Sequence, residues 1–418
     1  MTRERLAELF ESRAPGAWEL YEKNAVSHET SAVGAERTAA LRREVGWAAR
    51  WWEGGIPRFA AASSPSRLAR AVSEAASLPA AASPPPDWPA STCPPPPQGL
   101  VTPPPPRDAF EDLGRLVSAE SRGEGILTEL SLRRGSFSER IVNAKGADVS
   151  LFADRLDGLA LAVGRRGARA CEARIVFRAD SSLDLPGLAR RLADRATLPL
   201  SDSGAPMKRG EWLLDPSVGA ALLAGLAPLL VADEPPPWVS RSHLASEAVT
   251  IVDDATSDAA FDGEGVATRR AILVQQGRWR SRLHDLSSAK RQGTRSTGHG
   301  VRPSYRAPPQ ASPRRLFFEG ATGVAPLELL ASVKRGLFAA APTAPVQIDL
   351  AADHFALEFT GVAIVAGRAQ GPVAGARATG RISELLRRIS GVSTDRHFFP
   401  MPYLVGAPTL LVERCAFD

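Results

Sequence analysis

Cysteine is scarce in this chain: three thiols in 418 residues, Cys93, Cys171 and Cys415, with no CxxC pair. Thiols so few and scattered exclude a disulfide framework and a thiolate zinc knuckle, and they predict a reducing compartment, the cytoplasm. Long apolar runs are missing as well. The longest, Val218 to Ala232, contains Pro228 and is too short to span a bilayer. The first residues, MTRERLAELFESR, are charged and amphipathic and lack the apolar stretch of a signal peptide. Histidine is sparse too. The single His-Glu dipeptide, His28-Glu29, has no second histidine one turn on, which excludes a local H-E-x-x-H zinc helix. P-loop, G-x-S-x-G and dinucleotide fingerprints are absent, and Ser287-Ser288-Ala289-Lys290 matches S-x-x-K without a K-T-G companion.

What remains is the composition of a globular protein, 44% hydrophobic and 23% charged, long enough for two or three domains. The net charge is +5, and only five of its 51 basic residues are lysine. That arginine bias fits GC-rich coding better than a nucleic-acid function. Between Val266 and Arg315 twelve basic residues face one acid, Asp285. Only Trp279 and Tyr305 interleave there, so the stretch reads as a solvent- or partner-facing strand rather than a nucleic-acid face.

Patterning predicts an α+β fold, with an N-terminal mixed domain of antiparallel sheet and helices and a mainly-β C-terminal domain with few helices. Residues 3–13 read as a helix, and the alternations at Trp18–Tyr21 and Val45–Trp51 read as strands closed by a Gly54-Gly55 turn. Ser64-Pro65-Ser66 opens an amphipathic helix. Residues 79–106 are too proline-rich for helix or central strand and read as a polyproline-like linker or loop. A helix near Arg107–Val117 precedes strands at Glu124–Arg133, Glu139–Asn143, Asp148–Ala153, Leu159–Gly164 and Ala173–Ala179. A helix over Leu183–Ala196 follows, and a boundary falls near Asp202–Lys208. The segments are therefore 1–78, 79–106, 107–205 and 206–418. In the last, strands are expected at Glu211–Leu214, Val249–Val252, Ala271–Gln275, Arg278–Leu283, Val346–Leu350, His354–Phe359, Val362–Gly367 and Tyr403–Glu413. Helices are expected at Val218–Leu230, Pro326–Lys334 and Ile382–Ile389.

The richest stretch is Val249 to Arg302. An apolar run ends in Asp253-Asp254, a turn-rich Phe261-Asp262-Gly263-Glu264-Gly265 follows, then Arg269-Arg270, and a basic segment leads into Ser296-Thr297-Gly298. The acids Asp253, Asp254, Asp258, Asp262 and Glu264 lack calcium-loop spacing and read as caps, a turn and partners for Arg269 and Arg270. His284 and His299 could serve an independent hydrolase site, but no short spacing joins them. With Leu327–Gly336, Glu358-Phe359-Thr360-Gly361 and the closing Gly406-Ala407-Pro408-Thr409-Leu410-Leu411, this order resembles the TldD/PmbA family, two-subunit peptidases also called modulators of DNA gyrase.

The resemblance implies an HExxxH metal helix just before the acidic pair. By position Ala224, Gly225 and Leu229 occupy its histidine, glutamate and second histidine, and Cys415 falls beyond the last strand instead of before it. It thus implies the PmbA/TldE branch: no metal and no catalytic residue in this chain, and a zinc-type metal in a TldD-like partner subunit. The complex would degrade unfolded or extended peptides. Asp253, Asp254, Phe261, Asp262, Glu264, Arg269, Arg270, Ser296, Thr297 and Gly298 would line the substrate cleft or the subunit interface. The competing expectation is a stand-alone peptide-binding or scaffold homodimer.

Overall fold

The computed structural model describes residues 2–92, 104–179, 183–200, 209–231, 236–239, 243–320 and 324–416. Cys93 and the turn expected at Asp202–Lys208 lie outside them.

Six antiparallel strands build the N-terminal sheet: β1 (Trp18–Val33), β2 (Glu36–Glu53), β3 (Ile56–Ala62), β4 (Gly125–Asn143), β5 (Asp148–Arg166) and β6 (Arg169–Ala179). Their order is β3-β2-β1-β4-β5-β6, so strands from both sides of the proline-rich segment share one sheet. Helices α1 (Arg3–Arg13), α2 (Pro65–Ala75), α3 (Ala109–Glu120) and α4 (Leu185–Thr197) cover one face. The two-residue side-chain period of a strand decides what faces what. Trp18, Leu20, Ala49 and Trp51 point to α1 and α2, and Leu130, Leu132, Ala160 and Ala162 point to α3 and α4. The alternate residues Glu19, Tyr21, Ala48 and Arg50 point the other way, into the C-terminal domain.

Strand length departs from expectation. The breaks expected at Arg134–Ser138 and Asp154–Gly158 do not occur, because Gly135↔Arg155 and Ser136↔Asp154 pair within one uninterrupted hairpin. The glycine and the small, buried serines Ser136 and Ser138 there belong to a paired strand, not a turn.

The C-terminal domain packs two mixed sheets around one helix. Strand β7 (Arg209–Leu214) leads directly into α5 (Pro216–Leu226), whose first turn is capped by Asp215 accepting from Ser217 N at 2.8 Å. A 3-10 turn, Ala227–Leu230, replaces the last turn of the expected helix, as Pro228 removes a backbone donor. One sheet places β7 between Arg335–Pro342 and Leu410–Ala416. The other contains β8 (Ile251–Asp254), β9 (Arg270–Gln275), β10 (Arg278–Trp279) and the strands Arg315–Phe318, Leu404–Ala407 and His397–Pro400. Apolar on all sides, α5 lies between them in the largest core.

Three further expectations change. His354–Val365 is one strand. The final run is two strands in different sheets, Leu404–Ala407 and Leu410–Ala416, divided at Pro408-Thr409, so Cys415 lies within the last strand and not beyond it. In place of the strand expected at Arg278–Leu283 there is only the short β10, followed by a helix, α6 (Leu286–Arg291), where Asp285 and Ser288 form a reciprocal capping box.

Candidate functional site

The positions matched to the metal motif sit at the end of α5. Ala224 and Gly225 fall in its last turn, and Leu229 is buried in the 3-10 turn. The Ala224 carbonyl accepts a hydrogen bond from the Tyr403 hydroxyl at 2.9 Å. A Cβ at Gly225 would stand 2.5 Å from Ile348 Cγ1, so nothing larger than glycine fits without repacking. None of these side chains carries a lone pair or a titratable proton. Cys415 is half-buried, and burial pushes its thiol up to about 12, which keeps it protonated and a poor ligand. The residues present do not fit a metal, and among the described residues no group of three His, Cys, Asp or Glu is placed to hold one.

The 249–302 stretch instead joins the two domains. Glu19 and Arg50 face each other on β1 and β2, and Arg50 donates to both Glu19 oxygens at 3.1 Å. Its Nη2 also reaches Glu264 Oε1 at 2.7 Å, while Glu264 Oε2 accepts from Leu286 N at 2.6 Å, at the start of α6. Arg302 bonds Glu19, donates to the Gly263 carbonyl at 2.8 Å and stacks over Tyr21. All four charged side chains are almost fully buried.

Electrostatics follow from that burial. For Glu19 burial opposes ionisation, but Arg50 and Arg302 outweigh it and hold the carboxyl below its usual range. Burial pushes Glu264 up to about 7 against the pull of Arg50, and Asp262, Asp285 and Glu19 push the same way. Burial likewise raises Asp262 to about 6, although three backbone donors oppose it: Gly300 N at 2.8 Å and the amides of Glu264 and Val266 at 2.9 Å.

The other expected site residues spend their polar atoms inside the chain. Asp253 is fully buried, with His299 Nε2 at 3.0 Å and Arg314 N donating to it at 3.0 Å. Asp254 caps the short turn after β8 by accepting from Thr256 N at 3.2 Å. Phe261 packs against Tyr21, Ala48, Ile141, Val149 and Tyr305. Arg269 donates to the Ser296 carbonyl at 3.0 Å, and the Ser296 and Thr297 hydroxyls both donate to the His284 carbonyl. Gly298 has φ +73° and abuts the Ala267 carbonyl, so this tight loop needs glycine. Arg270 is peripheral, in an exposed pair with Glu319. Sequence reasoning attached no role to Glu19, Arg50 or Tyr305, and placed Arg302 only at the end of a segment lining the cleft or the interface. The available signal was a charge at alternating positions between buried aromatics, in Trp18-Glu19-Leu20 and Ala49-Arg50-Trp51.

A cleft opens beside this junction. Its outer chamber, about 560 Å³, lies over the uncovered face of β1, β2 and β4, and its inner chamber, about 190 Å³, ends at Met401, Pro402 and Tyr403. Phe137, Glu139, Arg155 and Arg302 line both.

Residues 214–418 match the family model of the PmbA/TldA metallopeptidase C-terminal domain. The C-terminal half of the chain is a domain of the TldD/PmbA family. Its fold is that of TldE from Thermococcus kodakarensis, with a TM-score of 0.84 over 99% of each chain at 20% identity. A metalloprotease of Methanothermobacter thermautotrophicus is 25% identical over 284 residues, 62% of this chain and 60% of that protein. A TldD homologue of Haemophilus influenzae is 29% identical over 158 residues, 36% of this chain and 32% of the relative. The matched stretches thus span from a fifth to three fifths of the curated relatives' lengths. Among the described residues no helix is long and apolar enough to cross a membrane.

Proposed function

We propose that this chain is the non-catalytic, TldE-like subunit of a cytoplasmic TldD/TldE-type metallopeptidase that cleaves unfolded or extended peptides. A TldD-like partner holds the metal, and this subunit shapes the chamber and helps hold the substrate. One observation carries the reading: Ala224, Gly225 and Leu229, which the resemblance matches to the ligands and base of the catalytic branch, offer no donor atom, and a Cβ at Gly225 would already meet Ile348. The cleft adds support, because its inner end reaches Tyr403, whose hydroxyl bonds the turn of α5 that the resemblance matches to the catalytic branch's metal motif. An extended peptide would lie across its sheet floor, where Ala25 and Gly135 carry no bulky side chain, held by side chains because β1 and β4 are paired on both sides. Asp253, Asp262, Ser296, Thr297 and Gly298 would then act by fixing the cleft wall.

The purified chain alone should leave an unfolded peptide intact, and adding an HExxxH-bearing partner should produce chelator-sensitive cleavage. Cleavage by the isolated chain, or failure of any such partner to copurify with it, would overturn the reading. A homodimer that binds peptide without cleaving it would support the scaffold alternative.

A further inference from the structure

A second basin, about 710 Å³, lies where the start of β7, the entry to Arg335–Pro342, the end of Arg368–Arg381, the helix Ile382–Arg388 and the end of Leu410–Ala416 meet. It shares no lining residue with the cleft. Its floor is apolar, formed by buried Trp212, Phe355 and Leu385. Among the described residues its wall carries Arg209, Lys334, Arg335, Arg381, Arg388 and Arg414, against two carboxylates, Glu211 and Glu384. Both carboxylates are engaged: Glu211 accepts from Lys334 N at 2.7 Å, and Glu384 pairs with Arg388 at 3.1 Å. Among the described residues the other five cations make no ion pair. The cleft shows the contrast, since there Arg155 pairs with Asp258, Lys23 with Glu44, and Arg42 and Arg133 with Glu29.

Like charges gathered on five elements around one low-dielectric floor repel one another, and they focus a positive potential into the basin. Their complement is a compact body bearing three or four negative charges. A phosphate chain supplies that density within a few ångströms, and its oxygens match the guanidinium fork. A peptide would need several acidic side chains converging on the same small volume. We propose that this basin binds a small ligand through a polyphosphate chain, supplied either as free polyphosphate or as a nucleoside triphosphate. The site is independent of the subunit assignment.

Calorimetric titration of the full chain at physiological salt tests this, with tripolyphosphate and ATP as probes. Binding is expected with a Kd on the order of 10–100 µM. Arg335→Glu/Arg414→Glu should weaken it by at least about tenfold, while Arg42→Glu/Arg43→Glu in the cleft should not change it. All four residues are exposed, and Arg335→Ala/Arg414→Ala provides the same comparison if charge reversal impairs folding. ATP binding much tighter than tripolyphosphate would identify a nucleotide that also uses the apolar floor; equal binding would identify the phosphate chain alone. Absence of binding by both probes, unchanged affinity in the basin variants, or tighter binding of an oligoglutamate peptide would overturn the proposal.

Discussion

Arg50 is the residue on which the buried junction turns. It forks onto Glu19 within its own sheet and reaches Glu264 across the domain boundary, so a single guanidinium neutralises charge from both halves. Removing one partner of a buried pair leaves the others uncompensated, which typically costs about 3–5 kcal/mol. Arg50→Met should lose stability on that scale in urea denaturation. Arg50→Lys should recover only part of it, because an ammonium cannot fork onto two carboxylates. The junction also sets a pH dependence. Glu264 is raised in the folded state from its ordinary 4.5 to about 7, so its protonated form favours folding. That contribution is complete below pH 4.5 and is lost as pH rises towards 7. Glu19 is shifted the other way, so its contribution is present above 4.5 and lost on acidification below it. Glu264→Gln keeps an acceptor for Leu286 N but does not titrate. The stability difference between wild type and this variant should therefore shift against wild type between pH 4.5 and 7 and level off above. A difference that is flat across that range would refute the assignment.

At the scale of elements, the proline-rich segment is more than a tether. Trp88 is buried edge-on against Trp52, with ring centroids 5.4 Å apart, and it touches Leu286 of α6. Asn143 Nδ2 donates to the Pro89 carbonyl at 3.0 Å, and Lys290 pairs with Asp87 at 2.9 Å. Residues 86–92 thus staple the sheet to α6. Trp88→Ala should cost about 3 kcal/mol, near the low end for deleting a buried aromatic because this cluster is small. Limited proteolysis should then cut the 79–106 segment faster than in wild type. In the described residues of that segment, 79–92 and 104–106, there is neither helix nor central strand, as composition predicts, but composition could not disclose docking, which depends on partners far away in sequence. Helices were legible wherever a cap and a 3.6-residue period coincide, as at Ser64-Pro65 and Asp215-Pro216. The long hairpins were not, since Arg133–Ser136 has strand geometry, paired on both sides, and the composition of a turn. Of the candidate site, the acid-rich stretch could be read directly, whereas the aliphatic positions matched to the metal motif come only from the family resemblance. The ion cluster that gives the stretch its place in the fold could not, because Glu264 and Arg50 are joined only by tertiary structure.

At the scale of the whole molecule, the two domains are coupled through one continuous buried surface. Tyr305 covers Gly46 of β2 so closely that a Cβ there would overlap its ring, and it shares a core with Tyr21, Ala48 and Ile141. Arg155 of β5 pairs with Asp258 at 2.7 Å, beside the Arg314–Asp258 pair at 2.9 Å. Interfaces that combine apolar burial with satisfied ion pairs transmit unfolding from one half to the other, so a single thermal transition is expected, with calorimetric and van't Hoff enthalpies in agreement. Combining Glu264→Gln, Arg302→Met and Arg155→Met removes the buried and part-buried charged links that cross the boundary while leaving the cores around α5 and beneath α1 to α4 intact. Scanning calorimetry of that variant should resolve two transitions, the C-terminal one retaining most of the wild-type melting temperature. If one transition persists at a uniformly lower temperature, the apolar contacts of Phe261 and Tyr305 alone couple the domains, and the ion cluster contributes stability without cooperativity.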